Sequence, residues 1–79
     1  MGYIRNEKAL ILVGKKIKKL RVLRGYSQRE FADICNIESS QIGRIELGKI
    51  NTSISVLFKI AEVLQIKPSI LLDIEDEAF

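Results

Sequence analysis

Apolar residues recur at helical spacing along most of the chain, which predicts helices rather than strands. The first helix is expected from about Asn6 to Arg24, bounded by a glycine. Its apolar positions Val13, Ile17 and Leu20 follow the i, i+4, i+7 pattern, and Leu23 follows at the next turn. The chain therefore begins with one long amphipathic helix.

Two shorter helices follow, joined by a very short turn. Ser27 with Glu30 three residues later forms a capping box, which predicts the start of a second helix running to about Cys35. Asn36 tolerates a positive φ and is suited to the sharp turn. A third helix is expected over Ser39–Leu47, with a glycine as its C′ residue.

The last two helices are indicated by a cap and a proline. Ser53 caps a fourth helix, and Pro68 suits the first turn of a fifth. The segment 73–79 is acidic and follows the fifth helix. The apolar stripe of the fourth helix consists of Val56, Leu57, Ile60, Ala61 and Leu64.

Composition excludes most catalytic chemistry. The chain has 79 residues, enough for one small domain, and it has one cysteine and no histidine. Disulfide frameworks, Cys–His zinc sites and histidine-dependent catalysis are thereby excluded, so we expect no metal, no cofactor and no enzymatic activity. Cys35 is predicted to be a buried core residue rather than a redox switch. No apolar run is long enough for a membrane span, and we expect a cytoplasmic protein.

Charge is distributed unevenly along the chain. Residues 1–25 contain eight Lys and Arg against one acidic residue, whereas residues 51–79 contain five acidic residues against two lysines. The formal net charge is +3. This polarity favours a polyanionic partner at the basic end. The alternative is that the lysines form an ordinary solvated helix face.

The segment from Gln28 to Leu47 resembles the helix-turn-helix of the Cro/C1-type (XRE-like) family of phage repressors and their bacterial relatives. Ala32 lies where two helices joined by a short turn must approach closely. The resemblance covers about residues 13–72 of a single domain spanning 1–79, with 1–12 extending the first helix and 73–79 as a tail. It is most similar to small restriction-modification controller proteins and short phage repressors, and also to some antitoxins. The motif residues that carry it are Ser27, Gln28, Ala32, Ile42, Ile45, Glu46, Gly48, Lys49, Ile60, Ala61 and Leu64.

The resemblance implies an all-α, compact, five-helix bundle of the lambda-repressor-like class that binds a symmetric operator in double-stranded DNA as a dimer. The third helix would then lie in the major groove. Arg44 is expected to be the main base-reading residue, because a guanidinium can donate two bonds to guanine O6 and N7. Ser39 and Ser40 either contact bases or only cap and solvate the helix. Glu38 either accepts from cytosine or lies against the helix dipole.

The resemblance also implies residues that position the protein on the DNA backbone. Their alternative role is ordinary surface polarity, and Lys49 also complements a helix dipole. Arg21 and Glu46 are expected to form an internal ion pair with a structural role. The expected phosphate contacts are Ser27, Gln28, Gln41, Lys49 and Asn51.

Apolar residues at both ends exceed what a small core requires, so one set is expected to form a homodimer interface. The C-terminal set is favoured, although Ile70 and Leu71 are alternatively expected to close the core. A different class of function is an antitoxin or other module that binds a protein, through the C-terminal part. The favoured set is Ile70, Leu71, Ile74 and Phe79, and the N-terminal set is Tyr3, Ile4, Leu10 and Ile11.

Overall fold

The computed structural model describes residues 4–74, and this part of the chain contains five α-helices and no β-strand. The all-α fold class is confirmed. The third helix ends one residue earlier than predicted, with Leu47 as its C-cap. The helices are α1 (Glu7–Leu23), α2 (Gln28–Cys35), α3 (Ser39–Glu46), α4 (Ile54–Leu64) and α5 (Pro68–Leu72).

Local side-chain hydrogen bonds start three of the helices. The Ser27 side chain accepts from the Glu30 amide at 3.0 Å, and the Glu30 carboxylate accepts from the Ser27 amide at 2.9 Å. The predicted capping box is therefore confirmed. These bonds favour the ionised carboxylate, so the pKa of Glu30 is lowered from its ordinary value, first by the Ser27 backbone amide and then by its hydroxyl. The Asn6 side chain caps α1 by accepting from the Ala9 amide, and the Ser53 side chain caps α4 by accepting from the Val56 amide.

The first four helices end with a residue of positive φ, and the next amide donates back to the helix. Asn36 has φ 59°, as its position in the turn predicted, and Gln65 has the same value. At the end of α3, Gly48 has φ 72° and donates to the Ile45 carbonyl, while Lys49 donates to Arg44. This is the Schellman arrangement, which satisfies the last carbonyls of a helix. It sends the chain sharply away from α3.

All five helices contribute to one core. Leu23, expected on the inner face of α1, is instead 71% exposed. The inner face of α1 follows Gly14, Ile17 and Arg21, and Leu23 lies two residues, or about 200°, beyond Arg21. The buried hydrophobic residues are Ile17, Phe31, Ala32, Cys35, Ile42, Ile45, Ile60, Ala61, Leu64 and Leu71.

Leu71 is fully buried in this core, so its assignment to a dimer interface is corrected. The short α5 packs against α1 and α4, and a side chain buried there closes the monomer. Ile70, the neighbouring residue, remains 38% exposed. Phe79 lies outside the described residues.

Cys35 is buried at the end of α2 among the core residues. Burial disfavours the charged thiolate and raises the pKa of Cys35 to about 11, although Lys59 opposes the shift. The thiol is therefore protonated at neutral pH. None of the helices described is long and apolar enough to cross a membrane.

A close approach of α1 and α3 depends on the absence of a side chain at Gly14. A Cβ placed there would lie 2.3 Å from the Ile45 carbonyl oxygen. A Cβ at Gly48 would lie 2.7 Å from the Ile11 Cα. Both neighbours are backbone atoms, which cannot give way as a flexible side chain does. These two contacts set how closely α1 can support α3.

Gly14→Ala and Gly43→Ala are expected to change stability in opposite directions. Gly14→Ala should lower the free energy of unfolding by about 1–3 kcal/mol, because the new methyl group overpacks the helix contact. Gly43 is also helical, but a Cβ there would meet only the Gln28 side chain at 3.8 Å. Gly43→Ala should therefore raise the free energy of unfolding by about 0.5–1 kcal/mol through helix propensity. Urea denaturation of both variants measures this, and equal destabilisation would contradict the α1–α3 geometry.

Candidate nucleic-acid interface

The turn between α2 and α3 fixes the angle at which α3 is presented. Residues 36–38 form this turn, with Asn36 in the left-handed conformation. The Ile37 amide donates to the Ala32 carbonyl at 2.9 Å, and the Ile37 side chain packs against the core. Ala32 itself is 1% exposed, so the two helices meet over a small side chain, as expected. The turn is thus held by both backbone and packing.

The outer face of α3 presents polar side chains to solvent. Ile42 and Ile45 are buried on the inner face. Ser39, Ser40 and Arg44 are exposed, and their side chains make no hydrogen bond within residues 4–74. Ser40 and Arg44 are four residues apart and share one face of the helix. A fixed helix therefore carries hydrogen-bonding groups with unused capacity.

The N-terminal end of α3 is acidic. Glu38 is the N-cap of α3, but its side chain makes no capping bond. Neither serine caps the helix, so the capping role considered for Ser39 and Ser40 is not observed in this structure. Glu38 and Asp33 line the same shallow surface groove beside the turn. Two carboxylates thus lie beside the turn that leads into α3.

A buried ion pair lies directly behind α3. Arg21 of α1 donates from Nε to Glu46 Oε2 at 2.6 Å and from Nη2 to Oε1 at 3.1 Å. Its Nη1 donates to the Tyr26 carbonyl at 2.8 Å. Gln28 of α2 donates from Nε2 to Glu46 Oε1 at 2.9 Å. The Glu46 side chain is 1% exposed, so one carboxylate joins three helices out of contact with water.

The same network changes the role available to Gln28, which was predicted to contact phosphate. One of its two amide hydrogens is used by Glu46. The second hydrogen and the backbone amide, at the first position of α2, remain to serve an anion. Ser27, the cap of α2, uses its hydroxyl oxygen and its amide in the capping box.

Four lysines of α1 line two surface grooves. Lys15 and Lys18 line a groove of about 370 Å³ that also includes Gln28, Gly43 and Leu47. Lys16 and Lys19 line a second groove, which contains Ile74, on another side of α1. Lys15 borders both. Only part of the positive charge therefore lies beside α3.

The remaining predicted phosphate contacts flank α3. Gln41 is partly exposed on α3, whereas Lys49 and Asn51 are exposed in the loop that follows it. Arg5, which was not predicted as a site residue, donates to the Lys49 carbonyl at 2.9 Å. No local pattern could have found this contact, because the two residues are 44 positions apart. Leu47 is a second residue not selected: it is 63% exposed at the end of α3.

Comparison with known proteins identifies the class that this fold and surface define. Residues 17–71 match the family model HTH_3, described as helix-turn-helix. Because this match spans well over half of the chain, the protein belongs to the helix-turn-helix family. Among relatives, an SPbeta prophage-derived uncharacterised HTH-type transcriptional regulator, YonR, of Bacillus subtilis (strain 168) is 33% identical over 61 residues. That match includes 77% of this chain but only 56% of the relative's length.

Solved structures share the architecture. The restriction-modification controller protein C.AhdI from Aeromonas hydrophila is 32% identical, with a TM-score of 0.77 over 78% of this chain and 94% of that one. The biofilm regulator SinR in complex with DNA is 35% identical, with a TM-score of 0.74 over 77% and 98%. A complex of SinR with the SinI protein is also similar, with 34% identity and a TM-score of 0.77 over 85% of this chain and 66% of that one.

Breaking the buried pair from either side is expected to destabilise the domain severely. Glu46→Leu or Arg21→Met alone should cost about 3–5 kcal/mol, because each leaves a buried charge without its partner. The double variant should cost less than either single change, since it leaves no such charge. Guanidinium denaturation of the three variants measures this. Single losses below about 1 kcal/mol would show that the pair does not support the fold.

Proposed function

We propose that this protein is a transcriptional regulator that binds double-stranded DNA as a homodimer at a symmetric operator, with α3 in the major groove. The observation that carries the proposal is the outer face of α3. It presents Ser40 and Arg44 one turn apart, and neither side chain has a partner among residues 4–74. The opposite face of the same helix is buried in the core. A rigid helix with unused donors is suited to reading base edges.

Arg44 is assigned the main role in sequence recognition. Its guanidinium can donate two parallel bonds to guanine O6 and N7. Ser39 and Ser40 supply shorter hydroxyl groups near the start of α3, and Glu38 can accept from cytosine N4. The side chain of Glu38 disfavours nearby phosphates, so this end of α3 points to bases rather than to the backbone.

Phosphate contacts are assigned to groups on both sides of α3. On one side lie the remaining Gln28 donors with the Ser27 cap, and beside them Lys15 and Lys18 of the groove along α1. On the other lie Gln41, Lys49 and Asn51. Positive charge along α1 attracts the duplex without regard to sequence. The relatives named as transcriptional regulators, and the solved complex of SinR with DNA, support this assignment.

A dimer is supported by an exposed apolar patch formed by Ile4, Ile54, Phe58 and Leu72. Ile54 and Phe58 are one turn apart on α4, and are 72% and 58% exposed. Ile4, Ile54 and Leu72 line one apolar groove of about 350 Å³ between α1, α4 and α5. Of the set favoured from sequence, Ile70 is exposed two residues before Leu72. Ile74 lies in a different groove, beside Lys16. We therefore centre the interface on α4 rather than on the set favoured from sequence.

The same apolar patch also supports a second candidate, binding of another protein. SinR has been solved with the SinI protein, and an apolar face of this kind serves either a second copy or a different partner. The dimer is favoured, because a symmetric operator requires two α3 helices held at a fixed separation, and a second copy of this chain would supply the second helix.

Selection from a random duplex library at about 0.15 M salt tests the proposed function. The full chain is expected to enrich a two-fold symmetric site, with half-sites about one helical turn apart or a multiple of it. Folded protein that enriches no sequence would contradict the proposal. A protein pull-down would then test the second candidate.

Arg44→Lys is expected to reduce specificity without reducing general DNA affinity. The substitution keeps the charge but loses the planar pair of donors. Binding to the selected duplex should weaken roughly 5- to 150-fold, which corresponds to about 1–3 kcal/mol. Binding to an unrelated duplex should stay within twofold. Titration of both duplexes by fluorescence anisotropy measures this, and an equal loss on both would remove the base-reading role.

Phe58→Glu is expected to convert a dimer to a monomer, because it places a charge in the apolar interface. Ile34→Glu is the matched control, since Ile34 is a similarly exposed apolar residue on α2. Analytical ultracentrifugation should give half the wild-type mass for Phe58→Glu and an unchanged mass for Ile34→Glu. A dimer in both variants would place the interface elsewhere.

A further inference from the structure

The residues before α1 are bound to the loop that follows α3. Arg5 donates from Nη2 to the Lys49 carbonyl at 2.9 Å and from Nε to the Glu7 carboxylate at 3.2 Å. The Arg5 side chain is only one-third exposed, although it lies outside every helix. A single planar guanidinium thus bridges the start of α1 and a loop 44 residues away.

The position of Lys49 depends on bonds from two directions. Its amide donates to the Arg44 carbonyl at 2.9 Å, which ties it to the end of α3. Its carbonyl accepts from Arg5, which ties it to the start of α1. Gly48, the residue before it, lies directly against the Ile11 backbone. Both anchors outside α3 therefore belong to the segment 5–11.

Beyond Lys49 the Ile50 side chain packs against the core, but the loop has few hydrogen bonds of its own. The amides of Ile50, Asn51 and Thr52 donate to no other residue in the described range 4–74. The Thr52 hydroxyl is buried and also lacks a partner among the residues described. A loop with so few hydrogen bonds of its own opens easily unless something outside it holds it. The Arg5 bond to the Lys49 carbonyl provides such an anchor.

We propose that Arg5 is a positioning residue for DNA binding. It holds Lys49 and the following loop in the conformation that places Lys49 and Asn51 on the DNA backbone. This inference rests on the proposed function, and it extends the binding machinery to the segment that precedes α1. Arg5 acts through the loop, and its own charge contacts no phosphate.

A salt-dependence cycle on the selected duplex tests this. Loss of one phosphate contact lowers the slope of log affinity against log salt by about one. Arg5→Ala and Lys49→Ala should each lower it by about one, and each should weaken binding about three- to tenfold at 0.15 M salt. The slope of the double variant should also fall by only about one, because both changes remove the same phosphate contact. In the Lys49→Ala background, Arg5→Ala should weaken binding by a smaller factor than it does in the wild-type background, because only the Asn51 contact is then left to lose.

Two control variants separate the Lys49 bond from general changes in charge. Glu7→Gln removes the negative charge of the other partner of Arg5 and keeps the bond to Lys49. Lys59→Ala removes a lysine that pairs with Glu62 on the surface of α4. Both are expected to bind within twofold of wild type. Amide hydrogen exchange should show faster exchange in residues 49–52 of Arg5→Ala, with the thermal midpoint unchanged.

The outcomes are distinguishable. A double variant that loses about two in slope, with additive losses in affinity, would mean that Arg5 itself contacts phosphate and would overturn the positioning role. An Arg5→Ala protein that binds as wild type does would overturn it as well, while the proposed function stands. Wild-type protein that binds no duplex would refute the proposed function and this inference together.

Discussion

The buried carboxylate of Glu46 is the constraint on which the arrangement of the first three helices depends. A charge shielded from water is tolerated only when its lone pairs are satisfied. Here three hydrogen bonds satisfy them: two come from Arg21 on α1 and one from Gln28 at the start of α2. Arg21 also binds the Tyr26 carbonyl, so the turn between α1 and α2 is held by the same guanidinium. Displacing any of these helices would leave a buried charge or amide without its partner.

This constraint gives α3 two different faces. Its inner side carries Ile42, Ile45 and Glu46, all of which are buried, and its outer side carries side chains without partners within the described chain. The geometry of the outer face is therefore fixed before any ligand arrives, which reduces the ordering cost of binding. The loop after α3 is supported differently: Gly48 packs against the Ile11 backbone, Ile50 packs against the core, and Arg5, which precedes the matched family segment, binds the Lys49 carbonyl. In our proposal, the rigid helix α3 reads the bases, and the loop after it, which has fewer hydrogen bonds, contacts the DNA backbone.

The small core has a second consequence. Ten hydrophobic residues are buried within the described range 4–74, and several large apolar side chains remain at the surface of α4 and α5. A domain of this length buries a smaller fraction of its surface than a larger one does. Association through Ile54, Phe58 and Leu72 would remove further apolar area from water. In the proposed dimer, stability and operator spacing are thus supplied by the same contact.

The sequence by itself determined the helices, their caps and their turns, because each depends on groups within about five residues of one another. Ser27 with Glu30, Asn36 and Pro68 could all be interpreted from spacing alone, and the structure has them as predicted. The pairing of Arg21 with Glu46 was expected only from the family resemblance. The tertiary structure alone decided that Leu71 is core, that Leu23 is not, and that Arg5 reaches Lys49. Those outcomes depend on how each helix is rotated and placed against its neighbours, which close packing decides and local spacing does not.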